Sequence, residues 1–135
     1  MTLLLDTNII MDILTMREGY EDSLRVMKLC EVKMISGVVS ATTVTDVIYI
    51  LRKYMPTEDA RKAVQTLLSV VDVVGTLKND ILTAFTSNVP DYEDAIQESC
   101  AARINADYIV TRSTRHFHNS KVPVLLPGDI PGLLT

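Results

Sequence analysis

The sequence predicts an α/β chain, a three-layer α/β/α sandwich around a central, mostly parallel sheet. Short apolar runs rich in β-branched residues alternate with longer segments of helical periodicity along the whole chain. That alternation is what a parallel sheet covered on both faces requires. Its 135 residues are enough for one full hydrophobic core, and no repeat, linker or low-complexity stretch divides them, so residues 1–135 read as one domain.

Thr2–Leu5 reads as a short buried strand and Ile9–Leu14 as a short helix. After the polar turn Arg17-Glu18-Gly19, Leu24, Met27 and Cys30 recur at helical spacing, which places a helix over Tyr20–Glu31. Met34–Val39 is the second strand. Ser40-Ala41-Thr42-Thr43 opens a helix running through Tyr54, with Val44, Val47, Ile48 and Leu51 on one apolar stripe. Pro56-Thr57-Glu58-Asp59 is a helix start with Thr57 as the expected cap, and Ala60, Val64, Leu67 and Leu68 face inward. Val70–Val74 is the third strand, followed by a short helix over Asn79–Ser87 and a longer one from Asp91 to about Ile104. Tyr108–Val110 and Val122–Leu126 complete the sheet, and Pro127-Gly128-Asp129 opens a brief final turn.

Composition narrows the function classes. Hydrophobic residues make up 47% and charged residues 22%, the balance of an ordinary soluble globule. A formal charge of −4 argues against broad electrostatic attraction to nucleic acid but leaves room for a local basic strip. Cys30 and Cys100 lie far apart in apolar helical patterns, so buried free thiols and a reducing compartment are expected. No secretory signal is visible, since Asp6 and Asp12 interrupt the N-terminal apolar run, and no stretch approaches about 20 apolar residues. The expectation is a cytoplasmic protein without a membrane span.

The chemistry centres on acids expected at one sheet edge. Asp6 ends the first strand, in the segment Leu5-Asp6-Thr7-Asn8, at the edge where open parallel sheets bind ligands. A plain helix cap is the competing role for Asp6 or Thr7. Asp46 falls two turns into the helix after the second strand, near Thr42 and Ile50; a solvated helix face is its plain alternative. Asp91 and Asp94 sit three apart at a helix start, Asp91 being the better cap, and Glu98 lies one turn further on the same face. Three carboxylates at one edge hold either protons or a cation. An oxygen-only ligand set without a Cys or His cluster favours Mg²⁺ or Mn²⁺, which can orient a phosphodiester and stabilise its leaving oxygen.

These residues resemble the PIN domain family. The similarity rests on strand-Asp6-Thr7-Asn8, the acid in the helix after the second strand, Asp91-Tyr92-Glu93-Asp94-Ala95, and Ala106-Asp107-Tyr108-Ile109-Val110-Thr111-Arg112. In order and spacing the set covers nearly the whole chain and is closest to VapC-like toxins and their small bacterial relatives. The resemblance implies a metal-dependent endoribonuclease acting on RNA, often restrained by an antitoxin protein, and frequent homodimers. It matches Asp6, Asp46 and Asp94 to the family's first three acidic positions, although the second is more usually Glu. Thr7 and Asn8 would then support Asp6. The fourth acidic position departs from the family pattern, because Ser113 and His116 stand where relatives carry Asn or Asp; Asp91 or Glu98 would have to compensate. Arg112 and Arg115 are the candidate phosphate contacts, with hydrated loop residues as the plainer reading. Two rival readings follow: a catalytically weak PIN module acting by binding RNA or protein, and a receiver-like phosphoacceptor. The second lacks the Lys expected after a late strand, where Thr111-Arg112 stands instead.

Overall fold

The computed structural model describes residues 1–134. Five strands, β1 (Thr2–Leu5), β2 (Ser36–Ser40), β3 (Asp72–Val74), β4 (Tyr108–Val110) and β5 (Val124–Leu125), form one sheet in the order β3-β2-β1-β4-β5. Every pairing in it is parallel. The helices are α1 (Thr7–Thr15), α2 (Tyr20–Glu31), α3 (Ala41–Leu51), α4 (Thr57–Leu67), α5 (Lys78–Ala84) and α6 (Tyr92–Arg103), with short 3₁₀ turns at Thr114–Phe117, Pro127–Asp129 and Pro131–Leu134.

Alternation along β1 builds the two layers. Leu3 and Leu5 point to one face, where they meet Ile9, Val26, Cys30, Val47, Leu51 and Val64 from α1 to α4. Leu4 points to the other and joins Val38, Val74 and Ile109 beneath Cys100, Ala101 and Phe117. All three leucines are fully buried, so β1 is apolar on both faces as a central parallel strand must be. The chain moves from β1 outward to β2 and β3, then returns across β1 to β4. The order therefore reverses between β1 and β4, and a crevice opens beyond the carboxyl ends of those two strands.

Several boundaries differ from the sequence expectation, each for a local reason. Helix α1 begins at Thr7 because Asp6 caps it, accepting a hydrogen bond from the Thr7 N–H. Thr57 is the first residue of α4, not its cap; Pro56 holds that position without a side-chain hydrogen bond. The expected strand Val70–Val74 starts only at Asp72, since Val70 and Val71 donate to the Leu67 carbonyl and finish the turn after α4. Strand β2 starts at Ser36, because Met34 and Ile35 both donate to the Leu29 carbonyl at the end of α2. Helix α3 ends at Leu51, short of Tyr54, and β5 is confined to Val124–Leu125.

Asp12 is wholly buried inside α1. Its Oδ1 receives Arg17 Nε at 3.1 Å and Arg112 Nη1 at 2.9 Å, and its Oδ2 receives Ser23 Oγ at 2.9 Å. A buried acid survives only when paired in this way. Cys30 and Cys100 are buried free thiols, and burial pushes the Cys30 thiol up to about 11. Among the described residues no helix is long and apolar enough to cross a membrane.

Gly37 sets the spacing between β2 and the helices above it. A Cβ there would lie 2.7 Å from Cys30 Sγ, 3.1 Å from Val71 Cγ1 and 3.3 Å from Leu5 Cδ1. Gly37→Ala is therefore expected to destabilise the fold by about 1–3 kcal/mol through overpacking, read by urea unfolding. An unchanged midpoint would show that α2 yields freely.

Candidate functional site

The reversal point of the sheet is lined by side chains from four segments. Asp6 leaves β1 and is only 7% exposed. Its Oδ1 accepts from the Thr7 N–H at 2.8 Å and from Gln97 Nε2 at 2.8 Å, and its Oδ2 accepts from Thr111 Oγ1 at 2.8 Å. Capping and site-building are thus the same act for this residue. Thr111 reaches Asp6 because it follows β4, whose Val110 pairs with Leu5 of β1. Asn8 makes no side-chain hydrogen bond with Asp6. Its Nδ2 donates to Thr111 Oγ1 at 3.4 Å and Ser113 Oγ at 3.3 Å, and its Oδ1 accepts from the Arg112 N–H at 3.4 Å, which ties the loop after β4 to α1.

Helix α3 is placed by Ser40, whose Oγ accepts from the Thr43 N–H. Thr43 Oγ1 meets Thr7 Oγ1 at 2.9 Å, and Asp46 follows one turn later. Helix α6 is capped by Asp91, which accepts from the Asp94 N–H at 3.0 Å. Asp94 and Gln97 then share the face turned toward Asp6. The result is a cleft of about 540 Å³ lined by Asp6, Asp46, Asp91, Glu93 and Asp94, with Thr7, Asn8, Gln97, His116, Arg17 and Tyr49 around them.

Two of the acids are perturbed by their neighbours. Glu93 is raised to about 7, first by a hydrogen bond with Asp46, then by burial and the charges of Asp46, Asp91 and Asp94. Asp94 is raised to about 6 by burial, then by the charges of Asp6 and Asp91, with His116 and a Gln97 hydrogen bond opposing the shift. Crowded carboxylates hold protons when no cation neutralises them.

Other expected residues stand elsewhere. Glu98 faces away from the cleft, its Oε1 accepting from Ser87 Oγ at 2.7 Å and its Oε2 from the Lys121 N–H at 2.7 Å, so it anchors loops. Nη1 of Arg112 is bound to Asp12 Oδ1 and to the Glu18 carbonyl, which leaves Nε and Nη2 as the donors this side chain can offer a phosphate. Ser113 points to Asn8 and, like Arg112, borders a neighbouring depression, whereas His116 reaches the cleft rim. Arg115 is exposed and lines neither. Sequence reading overlooked Glu93, Gln97 and Arg17 as site residues. Gln97 was accessible to it, lying three residues after Asp94 on one helix face, whereas nothing local links Glu93 to Asp46.

The two raised acids give stability a direction with pH. Both bind protons more tightly in the folded chain, so their stabilising contribution is full below about pH 4 and is lost as pH rises through about 6 and about 7. Glu93→Gln removes the larger loss. In chelator, its melting temperature should gain on the unsubstituted protein as pH rises from 4.5 to 7; parallel curves would contradict the shift.

The fold recurs in known proteins. The PIN domain family matches the sequence over residues 2–115. No curated protein matches the chain significantly. The structure is similar to VapBC2 from Rickettsia felis bound to a DNA fragment from its promoter, at 17% identity and a TM-score of 0.71, covering 93% of this chain and 98% of that chain. It is similar to VapBC-1 from nontypeable Haemophilus influenzae at 20% identity and a TM-score of 0.71, covering 94% and 98%. It is also similar to a toxin–antitoxin complex from Klebsiella pneumoniae at 21% identity and a TM-score of 0.70, covering 93% and 97%. With the family match spanning residues 2–115, this chain belongs to the PIN domain family.

Proposed function

We propose that the chain is a Mg²⁺- or Mn²⁺-dependent endoribonuclease, acting as the toxin of a toxin–antitoxin pair. The observation behind this is the cleft at the sheet's reversal point, where carboxylates outnumber cations and two of them take up protons near neutral pH. The donor chemistry fits a hard divalent cation: the acids are all oxygen ligands, with His116 alone offering nitrogen. Gln97 Oε1 points the same way. It is the one buried side-chain polar atom among the described residues without a hydrogen-bond partner, an acceptor that a hydrated ion would satisfy.

Asp6, Asp46 and Asp94 would hold the ion, with Glu93 added to the set. When bound, such an ion polarises a phosphodiester and stabilises charge on the leaving oxygen. The chain's own residues prepare for it. Thr7 N–H, Gln97 and Thr111 orient the Asp6 carboxylate, and His116 favours the ionised form of Asp94. A protein partner belongs to the same reading, because Leu82 of α5 and Phe85 at its C-cap are 53% and 70% exposed, an apolar edge suited to burial by an antitoxin or a second copy.

One observation favours a second reading, a module that binds RNA or protein without cutting. Among the described residues, no group of three or more His, Cys, Asp or Glu side chains is already assembled in a form that could hold a metal ion. Ser113 and His116 in place of the fourth acid point in the same direction.

Purified protein should cleave single-stranded RNA with Mg²⁺ or Mn²⁺ and lose at least about a hundredfold in rate with Asp6→Asn or Asp94→Asn. Activity surviving both substitutions would sink the nuclease reading. Calorimetry separates the two readings, since the nuclease binds Mn²⁺ at millimolar concentration or tighter and the module does not. Binding to the native state alone should add about 2.7 kcal/mol at one hundred times Kd, visible as a rise in melting temperature.

A further inference from the structure

We infer that Arg17 and Arg112 form a subsite for a backbone phosphate of the nucleic-acid strand, beside the acidic cleft and organised by the buried Asp12. The inference rests on the nuclease reading above and names a binding site within it.

Both guanidinium groups converge on one oxygen. Arg17 Nε lies 3.1 Å and Arg112 Nη1 2.9 Å from Asp12 Oδ1, while Asp12 Oδ2 is used by Ser23. Two cations share a single anion, so the cluster keeps one surplus positive charge in a chain whose net charge is −4. Glu18 borders the cluster through its backbone carbonyl, which accepts from Arg112 Nη1, and its carboxylate forms no ion pair with either arginine.

Enough donors remain for a ligand. Arg17 Nη1 and Arg112 Nε and Nη2 make no hydrogen bond among the described residues, and the side chains are 48% and 40% exposed. They are also held in place: Arg17 Nη2 donates to the Asn8 carbonyl, and Arg112 lies over Gly19, where a Cβ would come within 3.1 Å of Nη2. Fixing a guanidinium on a buried acid removes rotamer entropy that would otherwise be lost on binding.

Position supplies the ligand class. The cluster borders a depression of about 380 Å³ lined by Asn8, Arg17, Glu18, Arg112 and Ser113. Arg17 and Asn8 also line the acidic cleft, so the two depressions adjoin. An acidic floor that takes a cation, flanked by an exposed surplus of positive charge, suits a phosphodiester strand with one phosphate at the acids and the next at the arginines.

The test is fluorescence-anisotropy binding of a phosphorothioate single-stranded RNA decamer, which resists hydrolysis, in Mg²⁺ over a range of KCl concentrations. Arg17→Gln should weaken binding about tenfold and lower the slope of log affinity against log salt by about 0.7, the loss of one phosphate contact on a single strand. Arg17→Lys should restore most of the slope, and Arg61→Gln on exposed α4 should leave it unchanged. Melting curves of each variant report folding separately. An Arg17→Gln slope equal to that of the unsubstituted protein, or an equal fall with Arg61→Gln, would overturn the subsite. If that happens while Mg²⁺-dependent cleavage persists, the nuclease reading stands without it. An unsubstituted protein that neither binds nor cuts RNA would overturn both.

Discussion

The carboxylate of Asp6 is the contact on which the rest of this site depends. Its three hydrogen bonds come from the N–H that begins α1, from Gln97 on α6 and from Thr111 after β4. One buried acid thus joins three segments that are distant in sequence. It sits where the strand order reverses between β1 and β4, and the sheet leaves a crevice there that no crossing helix fills. Burying a carboxyl group without partners is costly, and the three donors satisfy its oxygens.

Around that anchor the molecule separates its charges. The acids of α3 and α6 crowd the cleft, where Glu93 and Asp94 are shifted toward protonation, while two arginines gather on Asp12 at its border. The two clusters are linked mechanically as well as electrostatically. Asn8 hydrogen-bonds the loop that carries Thr111 and Arg112, and its carbonyl receives Arg17. A displacement of that loop would therefore move Asp6's hydrogen-bond donor and the basic pair together. The turn after β4 is the part that both clusters share.

Much of this was legible before any coordinates. The alternation of apolar runs and helical stripes implied a parallel sheet between helix layers, and Thr2–Leu5 read as a short buried strand. The capping role of Asp91 follows from residue chemistry and position alone, because a cap needs only an acceptor three residues from a free N–H. Strand ends were less legible. Val70 and Val71 have strong β character yet close the turn after α4, since the Leu67 carbonyl captures their N–H groups before the sheet does. Glu98 was misread for a similar reason: helical spacing put it near Asp94, but its oxygens found Ser87 and the Lys121 backbone.

By itself the sequence determined the α/β class, the position of Asp6 at the end of the first strand and the family likeness. Those depend on periodicity, caps and short ordered motifs, which are written locally. Only the tertiary structure decided which charges meet. The approach of Glu93 to Asp46, the bridge of Gln97 to Asp6 and the capture of Arg112 by Asp12 each join residues from different elements. Such pairings are set by how helices settle on the sheet, and electrostatic interaction falls off so steeply with distance that a few ångströms separate a metal-ready acid from a structural anchor. The stretch Leu3–Asn8 names the site, and packing chooses its members.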